Sequence, residues 1–548
     1  MNKHAWFFLV FAILFSALSS GSVFAQETSL DEFVTYSKQS NFIKEIPFPT
    51  EEFGLRGITT DKNGNVWIYH ATQNTSLISK FDPITKEFSN FDITKTTTTN
   101  DVIVNLSGGH IIYDEFRNVI WFTDARTNSI GKFNIENEQM DMISIPTENS
   151  GVMGIILSPD KSKIWFTELS SDKFARLDVN TNEIQEYAID KNSGPTFLAF
   201  DANGSLWITL SYANSILEID LANIGSGSFP DISEISLPKP DFFSPFGIAI
   251  FKDYQGVEKI VLSDHGSSRV IVSELDSRLK DYVSLWTSPN ELYPQTLPSQ
   301  IDVDKSGNVY FAQHGGNKIS KVDEIGTITE YDIPTGPLST AIYLDISNDG
   351  KKVWFTEVLG NKIGYLDTDI SVPFDLQTTK GEIVFTETKK SEQVTVVINN
   401  SEDHGGLLSL DTINVFLVGM THSGLSGISF TANPDTVNLN EENSVESTLD
   451  ISVDKNAESG TYQTMLQIST AETIDESMRV SKLYPLTIVL DLPKTSPAPN
   501  NTIQNAEAAF TVKDVIQYAA IGTIAILIAA LLYNRIKRSK QKKISKLE

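Results

Sequence analysis

The segment Val353-Trp-Phe-Thr-Glu-Val-Leu-Gly-Asn-Lys-Ile-Gly-Tyr-Leu-Asp367 decides the fold, because degraded copies of it recur through the first two thirds of the chain. One copy reads Ile120-Trp-Phe-Thr-Asp124, and another reads Ile164-Trp-Phe-Thr-Glu168. The tryptophan position of the motif falls at residues 67, 121, 165, 207, 261, 310 and 354, and five of the chain's seven tryptophans occupy it. A repeat at this period indicates an architecture of stacked or radially arranged units.

Each copy of the motif predicts four short strands joined by tight turns. A strand such as Gly57–Thr60 precedes an Asp-Lys-Asn-Gly turn, then come the Trp strand and two further strands. Asn-Gly and Asp-Gly pairs are typical of hairpin turns. Four-stranded units repeated at this spacing predict an all-β protein with a seven-bladed β-propeller over residues 41–370. A β-solenoid is the competing architecture, although its units are usually shorter.

The seventh copy stops after its third strand, at Asp367. The segment Ile43-Lys-Glu-Ile-Pro-Phe-Pro-Thr50 is similar to Ile328-Thr-Glu-Tyr-Asp-Ile-Pro-Thr335, which reads as a fourth strand. We therefore expect the N-terminal strand to complete the last blade and close the ring, which removes open sheet edges.

The composition changes after the ring. Alternating apolar runs such as Gln393–Ile398 and Tyr462–Ile468 predict an immunoglobulin-like β-sandwich over residues 372–492. The Pro-rich segment 493–512 that follows is typical of an extended stalk.

The two ends of the chain predict its topology. Residues 1–25 have a short basic start, an apolar run and a small-residue ending, which is the pattern of a signal peptide. Residues 515–533 carry no charge and predict a transmembrane helix, and the cytoplasmic tail 534–548 holds seven Lys or Arg between Arg535 and Lys546. A permanent N-terminal anchor and a buried C-terminal core helix are the alternatives. The pattern favours a single-pass protein of the plasma membrane with an extracellular ectodomain.

Composition narrows the function. The chain has 548 residues, no cysteine and a formal net charge of −27. Without cysteine there is no disulfide framework, thiolate metal site or cysteine nucleophile. An acidic chain repels phosphate backbones, so nucleic acid is not an expected partner.

The predicted ring brings two sets of residues to one mouth. The second strands end at His70, Asp124, Glu168, Leu210, Asp264, Gln313 and Glu357, with His265 and His314 directly after two of them. The first strands are preceded by Arg56, His110, Met153, Thr196, Phe246, Ser299 and Thr340. From these we take Arg56, His70, His110, His265 and His314 as candidate ligand-binding residues.

The carboxylates of this mouth predict a weak metal site. Asp124, Glu168, Asp264 and Glu357 are hard oxygen ligands, which favour calcium or magnesium. Asp124 and Glu168 come from adjacent blades and are the expected pair. The other interpretation is structural: strand-end side chains of this kind are solvated or bond the backbone of the neighbouring blade.

The repeat resembles the streptogramin lyases, of which virginiamycin B lyase is the named example. The resemblance rests on Trp-Phe-Thr-Glu-x-x-x-Asn-Lys-Ile-Gly, with a Gly-Ile strand before it and an Ile-Thr-Glu-Tyr strand after it. It implies a seven-bladed propeller that opens a cyclic depsipeptide at its ester by elimination, with magnesium. It also implies a histidine at the start of the first strand in the sixth and seventh blades. Here those positions hold Ser299 and Thr340, and Glu357 alone matches a glutamate of the family.

Two functions follow. The favoured one is a cell-surface binding or recognition module for an extracellular ligand. The alternative is a streptogramin lyase-like or lactonase-like enzyme that uses a divalent cation, with Glu357 as the candidate catalytic residue. The lack of the family's histidine pair favours binding, because the general base that the resemblance implies is missing.

The topology gives the first prediction. Because residues 1–25 direct export and the basic tail stays inside, a protease added to intact cells should release the ring as a soluble fragment. Immunoblotting of the medium checks this, with a cytoplasmic protein as the control for lysis. Protection of the ring in intact cells, together with cleavage in broken cells, would contradict this topology.

Overall fold

The computed structural model describes residues 42–492 except 51–53, 73–75, 94–107, 223, 225–229, 238–243, 289–294, 337–338, 373, 379, 401–412, 419–426, 438–443, 455–456 and 471–479. The predicted signal peptide, stalk, membrane span and tail lie outside the described residues. Within them, no helix has the length and apolar character needed to cross a membrane. A 3-10 turn at Leu275–Ser277 is the one helical element found there.

The described residues between 43 and 367 form antiparallel four-stranded units. The chain begins with β1, Ile43–Pro47. Units 1 to 3 contain β2 Leu55–Thr60, β3 Val66–Ala71, β4 Ser76–Asp82 and β5 Glu87–Asp92; β6 Ile111–Asp114, β7 Val119–Asp124, β8 Ser129–Asn134 and β9 Met140–Ser144; and β10 Val152–Leu157, β11 Lys163–Glu168, β12 Lys173–Asp178 and β13 Ile184–Ala188.

The later units repeat this order. Units 4 to 6 contain β14 Pro195–Phe200, β15 Leu206–Leu210, β16 Ser215–Asp220 and β17 Asp231–Ser236; β18 Pro245–Lys252, β19 Glu258–Asp264, β20 Arg269–Glu274 and β21 Tyr282–Trp286; and β22 Pro298–Val303, β23 Val309–Gln313, β24 Lys318–Val322 and β25 Ile328–Asp332. Unit 7 contains β26 Ala341–Ile346, β27 Lys352–Glu357 and β28 Lys362–Asp367.

Strand β1 supplies the fourth strand of unit 7. It pairs antiparallel with β28, with Ile43 opposite Leu366 and Pro47 opposite Lys362. The first strand of every unit also contacts the first strand of the next, including β26 with β2. The units therefore form a closed propeller, and the predicted role of the N-terminal strand is confirmed.

The tryptophan position holds neighbouring units together. Trp67 is buried in the core between units 1 and 2, and its ring lies 5.5 Å from that of Phe133. Its indole N–H donates to Asp61 Oδ2 at 2.9 Å, while Asp61 Oδ1 accepts the N–H groups of Asn63 and Asn65. The same Asp-to-Trp bond joins Asp201 and Trp207 in unit 4. In both units the aspartate lies six residues before the tryptophan, so one hydrogen bond ties the turn to the apolar core.

A hydroxyl group two residues after the tryptophan position joins units 2, 3, 4, 5 and 7 each to the next unit around the ring, whereas unit 1 has Tyr69 there. The Thr356 hydroxyl donates to the Arg56 carbonyl at 2.5 Å, and Thr123, Thr167 and Thr209 make the equivalent bond to Met153, Thr196 and Phe246. Ser263 bonds Ser299 in the same way. Unit 6 has Ala312 at this position, and there the hydroxyl of Ser299 bonds the Ile342 carbonyl instead. These bonds set the spacing of the inner strands.

The remaining strands form two further sheets. They are β29 Phe374–Thr378, β30 Glu382–Thr386, β31 Ser391–Asn400, β32 Ile413–Val418, β33 Ile428–Asn433, β34 Thr436–Val437, β35 Ser444–Val453, β36 Gly460–Thr470 and β37 Val480–Asp491. One sheet has the order β29-β31-β35-β33, and the other has β37-β36-β32-β34, with β30 parallel to β37. Val396 and Ile451 of one sheet share a core with Leu466 and Ile488 of the other.

The second of these sheets is continuous with unit 6 of the propeller. Strand β25 pairs antiparallel with β37, with Ile328 opposite Leu483 and Tyr331 opposite Val480. The indole N–H of Trp286 donates to the carbonyl of Gln463 at 2.9 Å. The sandwich therefore extends one blade, a connection that the sequence did not predict.

Replacing Thr356 with Val should lower the free energy of unfolding by about 1–3 kcal/mol, because the buried Arg56 carbonyl loses its donor. Chemical denaturation measures the change. Thr85→Val, at an exposed turn position, is the matched control and should stay within about 0.5 kcal/mol of the parent. Equal stability of the two variants would show that the hydroxyl-to-carbonyl hydrogen bonds between units do not stabilise the propeller.

Candidate functional site

The centre of the ring is filled by side chains from alternate units. One position of the first strand is glycine in units 1, 3 and 5, where a side chain would collide with the next strand: a Cβ on Gly57 would lie 2.1 Å from the Gly109 carbonyl oxygen. At the same register, units 2, 4, 6 and 7 carry large residues: His110, Phe197, Gln300 and Tyr343. We call these four residues the central plug.

Contacts within the central plug cross the ring. The His110 ring lies 5.2 Å from Phe197 of unit 4 and 6.0 Å from Tyr343 of unit 7, and its Nε2 lies 3.2 Å from the Gln300 amide of unit 6. His110 Nδ1 accepts the Ile155 N–H at 3.1 Å. Burial lowers the pKa of His110 to about 4. His110 is therefore neutral near pH 7 and holds the plug together.

An aromatic row extends from the plug to the second-strand ends. Phe197 lies 5.3 Å from Phe246, Phe246 lies 4.9 Å from His265, and His265 lies 4.8 Å from His314. Phe246 and His265 are half-buried. Burial lowers the pKa of both His265 and His314, and the proximity of His265 lowers that of His314 further. The mouth thus offers neutral aromatic surface.

Three of the five candidate ligand-binding residues belong to the central plug or to the aromatic row. His110, His265 and His314 are joined by ring contacts as above. Arg56 is buried beside Gly109, and its Nη1 has no hydrogen-bond partner among the described residues. His70 is buried against Phe48, with ring centroids 5.3 Å apart.

Two predicted equivalences between blades were wrong. Strand pairing aligns Gly109, and not His110, with Arg56 and Met153, and it aligns Ile342, and not Thr340, with Ser299. In unit 2 the reason is that its first strand lacks the register shift found at the start of the first strand in the other six units. Units 6 and 7 share the shift, and Pro298 and Ala341 take equivalent places in them, so Thr340 was two residues out of register. The position that the family resemblance assigns to a histidine therefore holds Ser299 and Ile342.

The strand-end carboxylates lie in separate clusters between units. In unit 3, Lys173 donates to Glu186 at 2.7 Å and lies beside Glu168, while Thr147 of unit 2 donates its N–H and hydroxyl to Glu186. Unit 7 repeats this arrangement with Lys362, Glu45 and Glu357, and Thr335 of unit 6 donates its N–H to Glu45.

Unit 6 has a third cluster of the same form. Lys318 donates to Glu330 at 2.8 Å, and the amide of Gln313 donates to the same carboxylate at 3.0 Å. Ser288 of unit 5 donates its N–H to Glu330. The sequence signal for these clusters is the lysine five residues after the strand-end residue, together with the Glu of Ile-x-Glu in the fourth strand.

The other two carboxylates are bonded locally. Asp264 Oδ2 accepts Arg269 Nε at 3.1 Å, and the Arg269 guanidinium lies 5.1 Å from the Trp286 ring. Asp124 Oδ1 accepts the N–H groups of Arg126 and Thr127. Among the described residues, no three His, Asp or Glu side chains form a metal-binding group. The expected calcium or magnesium site therefore has no single cluster to hold it there.

Burial changes the protonation of the carboxyl groups in these clusters. It raises the pKa of Glu168 to about 7, and it raises the pKa of Glu357 well above its usual range, with the charge of Glu45 adding to the effect. Both carboxyl groups are fully buried between units, so neither is exposed to a ligand at the mouth. The structural interpretation of Glu168 and Glu357 therefore fits their surroundings.

Comparison with known proteins gives one family match and several structural alignments. Residues 41–255 match the model of the Virginiamycin B lyase family. A streptogramin B lyase structure is 23% identical, with a TM-score of 0.49, and the alignment covers 60% of this chain and 97% of that chain. Virginiamycin B lyase from Staphylococcus aureus is 22% identical, with a TM-score of 0.49 and coverage of 59% and 98%.

A more distant structure also aligns. Hydrazine synthase from Kuenenia stuttgartiensis is 14% identical, with a TM-score of 0.42 and coverage of 59% and 97%. No curated protein matches the sequence. The closed ring of four-stranded units makes this chain a β-propeller protein. Over residues 41–255 the family model confirms its resemblance to the virginiamycin B lyase family.

Glu168→Gln should change how stability depends on pH. The pKa of Glu168 is raised to about 7 in the folded protein, so the folded state holds this proton more tightly than the unfolded state does. The resulting contribution to the free energy of unfolding is complete below the ordinary carboxyl pKa and is lost as pH rises through about 7. From pH 5 to 7.5 the variant should therefore lose about 2 kcal/mol less stability than the parent.

Denaturant titrations at the two pH values measure this difference. The exposed Glu136→Gln substitution serves as the control and should follow the parent. If Glu168→Gln also follows the parent, the carboxyl group at residue 168 is ionised in the folded state and the assignment above is wrong.

Proposed function

We propose that the protein is a cell-surface binding module in which a seven-bladed propeller is presented on an immunoglobulin-like sandwich. A cleaved signal peptide, a stalk and one C-terminal span would hold it in the plasma membrane with the propeller outside. The seven described four-stranded units and the closing pair β1 and β28 support the blade count. The packing of the two C-terminal sheets supports the sandwich.

The observation that carries the binding role is the chemistry of the mouth. Its histidines are neutral and stacked on aromatic rings, and its strand-end acids are tied into clusters between units. Ser299, at a position where the family resemblance implies a histidine, has its hydroxyl bonded to the Ile342 carbonyl. The described part of the mouth therefore offers aromatic rings on which a ligand can stack.

The half-buried Phe246 and His265 are the proposed contact surface. Flat rings of a ligand gain both apolar burial and favourable ring geometry when they stack on such side chains. The ligand class is thus an extracellular molecule that carries aromatic or other flat apolar groups. The net charge of −27 disfavours a polyanion.

The alternative function is an enzyme of the lyase or lactonase kind that uses a divalent cation. The match of residues 41–255 to the lyase family favours it. Glu357, the glutamate that the family resemblance implies, lies outside those residues, beside Lys362 and Glu45, and burial raises its pKa. Its side chain is fully buried between units and is not exposed to a substrate in the mouth, so this alternative ranks below binding.

One experiment separates the two functions, with a streptogramin B antibiotic as the probe. The purified full-length chain should bind the probe saturably in calorimetry and return it intact by mass spectrometry, with and without magnesium. Phe246→Ala should weaken binding at least fivefold, because the stacking surface is lost. Phe116→Ala, at an exposed turn, is the matched control.

Two outcomes count against the proposal. Magnesium-dependent opening of the probe that is abolished in Glu357→Ala would establish the enzyme instead. Absence of saturable binding would remove this class of ligand from the mouth.

A further inference from the structure

His265 and His314 occupy the same place in adjacent units. Each directly follows the last residue of a second strand, in Asp264-His-Gly and Gln313-His-Gly. Their Nε2 atoms lie 3.2 Å apart and their rings are nearly parallel, with 24° between the planes. Two side chains from different sheets are thus brought together by the ring geometry.

The backbone fixes which nitrogen of His265 faces the pair. His265 Nδ1 lies 3.0 Å from the Pro298 carbonyl oxygen, so in the neutral ring Nδ1 carries the proton and donates it there. The lone pair of Nε2 is then directed at His314. A carbonyl bonded to the second ring nitrogen is the support that metal-binding histidines generally have. Phe246, stacked 4.9 Å away, holds the ring in this orientation.

The separation of the two nitrogens suits a shared metal ion. Imidazole nitrogen binds zinc at about 2.0–2.1 Å. Two such ligands at the angles of a square-planar or tetrahedral centre lie about 2.9–3.4 Å apart, by simple trigonometry on those bond lengths. The observed 3.2 Å falls within this interval. A metal could therefore bind both Nε2 atoms from beside the line that joins them, once the proton between them has moved to Nδ1 of His314 or to solvent.

We propose that His265 and His314 form a two-histidine site for a borderline divalent metal ion such as copper(II) or zinc(II). Neutral imidazoles prefer these ions, whereas carboxylates prefer calcium or magnesium. No third His, Asp or Glu completes a cluster within the described part of the chain. The two imidazoles are therefore the protein ligands that we assign to the metal.

This site does not depend on the proposed binding of organic ligands, and it is tested with the metal alone. Copper(II) is titrated into the purified full-length chain at pH 7.5 and followed by calorimetry and electron paramagnetic resonance. We expect one saturable equivalent, with hyperfine coupling from two imidazole nitrogens. His265→Gln and His314→Gln should each weaken binding at least tenfold.

The control is the double variant His404→Gln with His422→Gln, which changes histidines outside the described residues. It should bind copper as the parent does. Wild-type spectra without coupling from two nitrogens would overturn the proposal, even if the His265 and His314 variants failed to fold. Unchanged affinity in folded His265→Gln and His314→Gln proteins would overturn it as well.

Discussion

The ring depends on one hydrogen bond that recurs between units. In it, the hydroxyl group of a second-strand residue donates to a backbone carbonyl in the first strand of the next unit. At 2.5 Å, the bond from Thr356 to Arg56 leaves little freedom for the distance between units 7 and 1. Its equivalents act at four other boundaries, and Ser299 replaces the missing hydroxyl opposite Ala312. Because the inner strands lie so close together, the central space has room for large side chains from only some of the units. The same first-strand position is therefore glycine in units 1, 3 and 5 and a large residue in units 2, 4, 6 and 7.

The mouth follows from this packing. Once the centre is filled by His110, Phe197, Gln300 and Tyr343, side chains at the ends of the strands must either face the opening or lie between units. The histidines after two strand ends meet each other, whereas Glu168 and Glu357 lie between units beside lysines. Burial lowers the pKa of both histidines, which leaves them neutral near pH 7, and raises the pKa of both glutamates. Recognition by stacking is consistent with such a surface.

The sequence predicted the repeated strands and the closing role of Ile43–Pro47, because each depends on local pattern and on a motif repeated in one chain. It did not predict the central plug. His110 was a candidate residue, but its ring contacts with Phe197 and Tyr343 could not be predicted, because the register of unit 2 differs by one residue from that of the other units. The lysine and glutamate of these clusters are visible in the motifs Asn-Lys-Ile-Gly and Ile-Thr-Glu-Tyr. Whether they form an ion pair depends on which strands become neighbours in the folded protein. Contacts between units are set by the ring's curvature, and spacing along the chain does not encode it.

Two strand pairings make the order of synthesis matter. Strand β1 leaves the ribosome early, but its partner β28 is made more than 300 residues later. The outer edge of unit 6 is likewise covered only when β37 has been made. Until then, a nascent chain carries two unpaired strand edges of the kind that associate with other chains. The completed sandwich is therefore a late step in protecting the propeller, and the two parts share one folding history even though their sequences look independent.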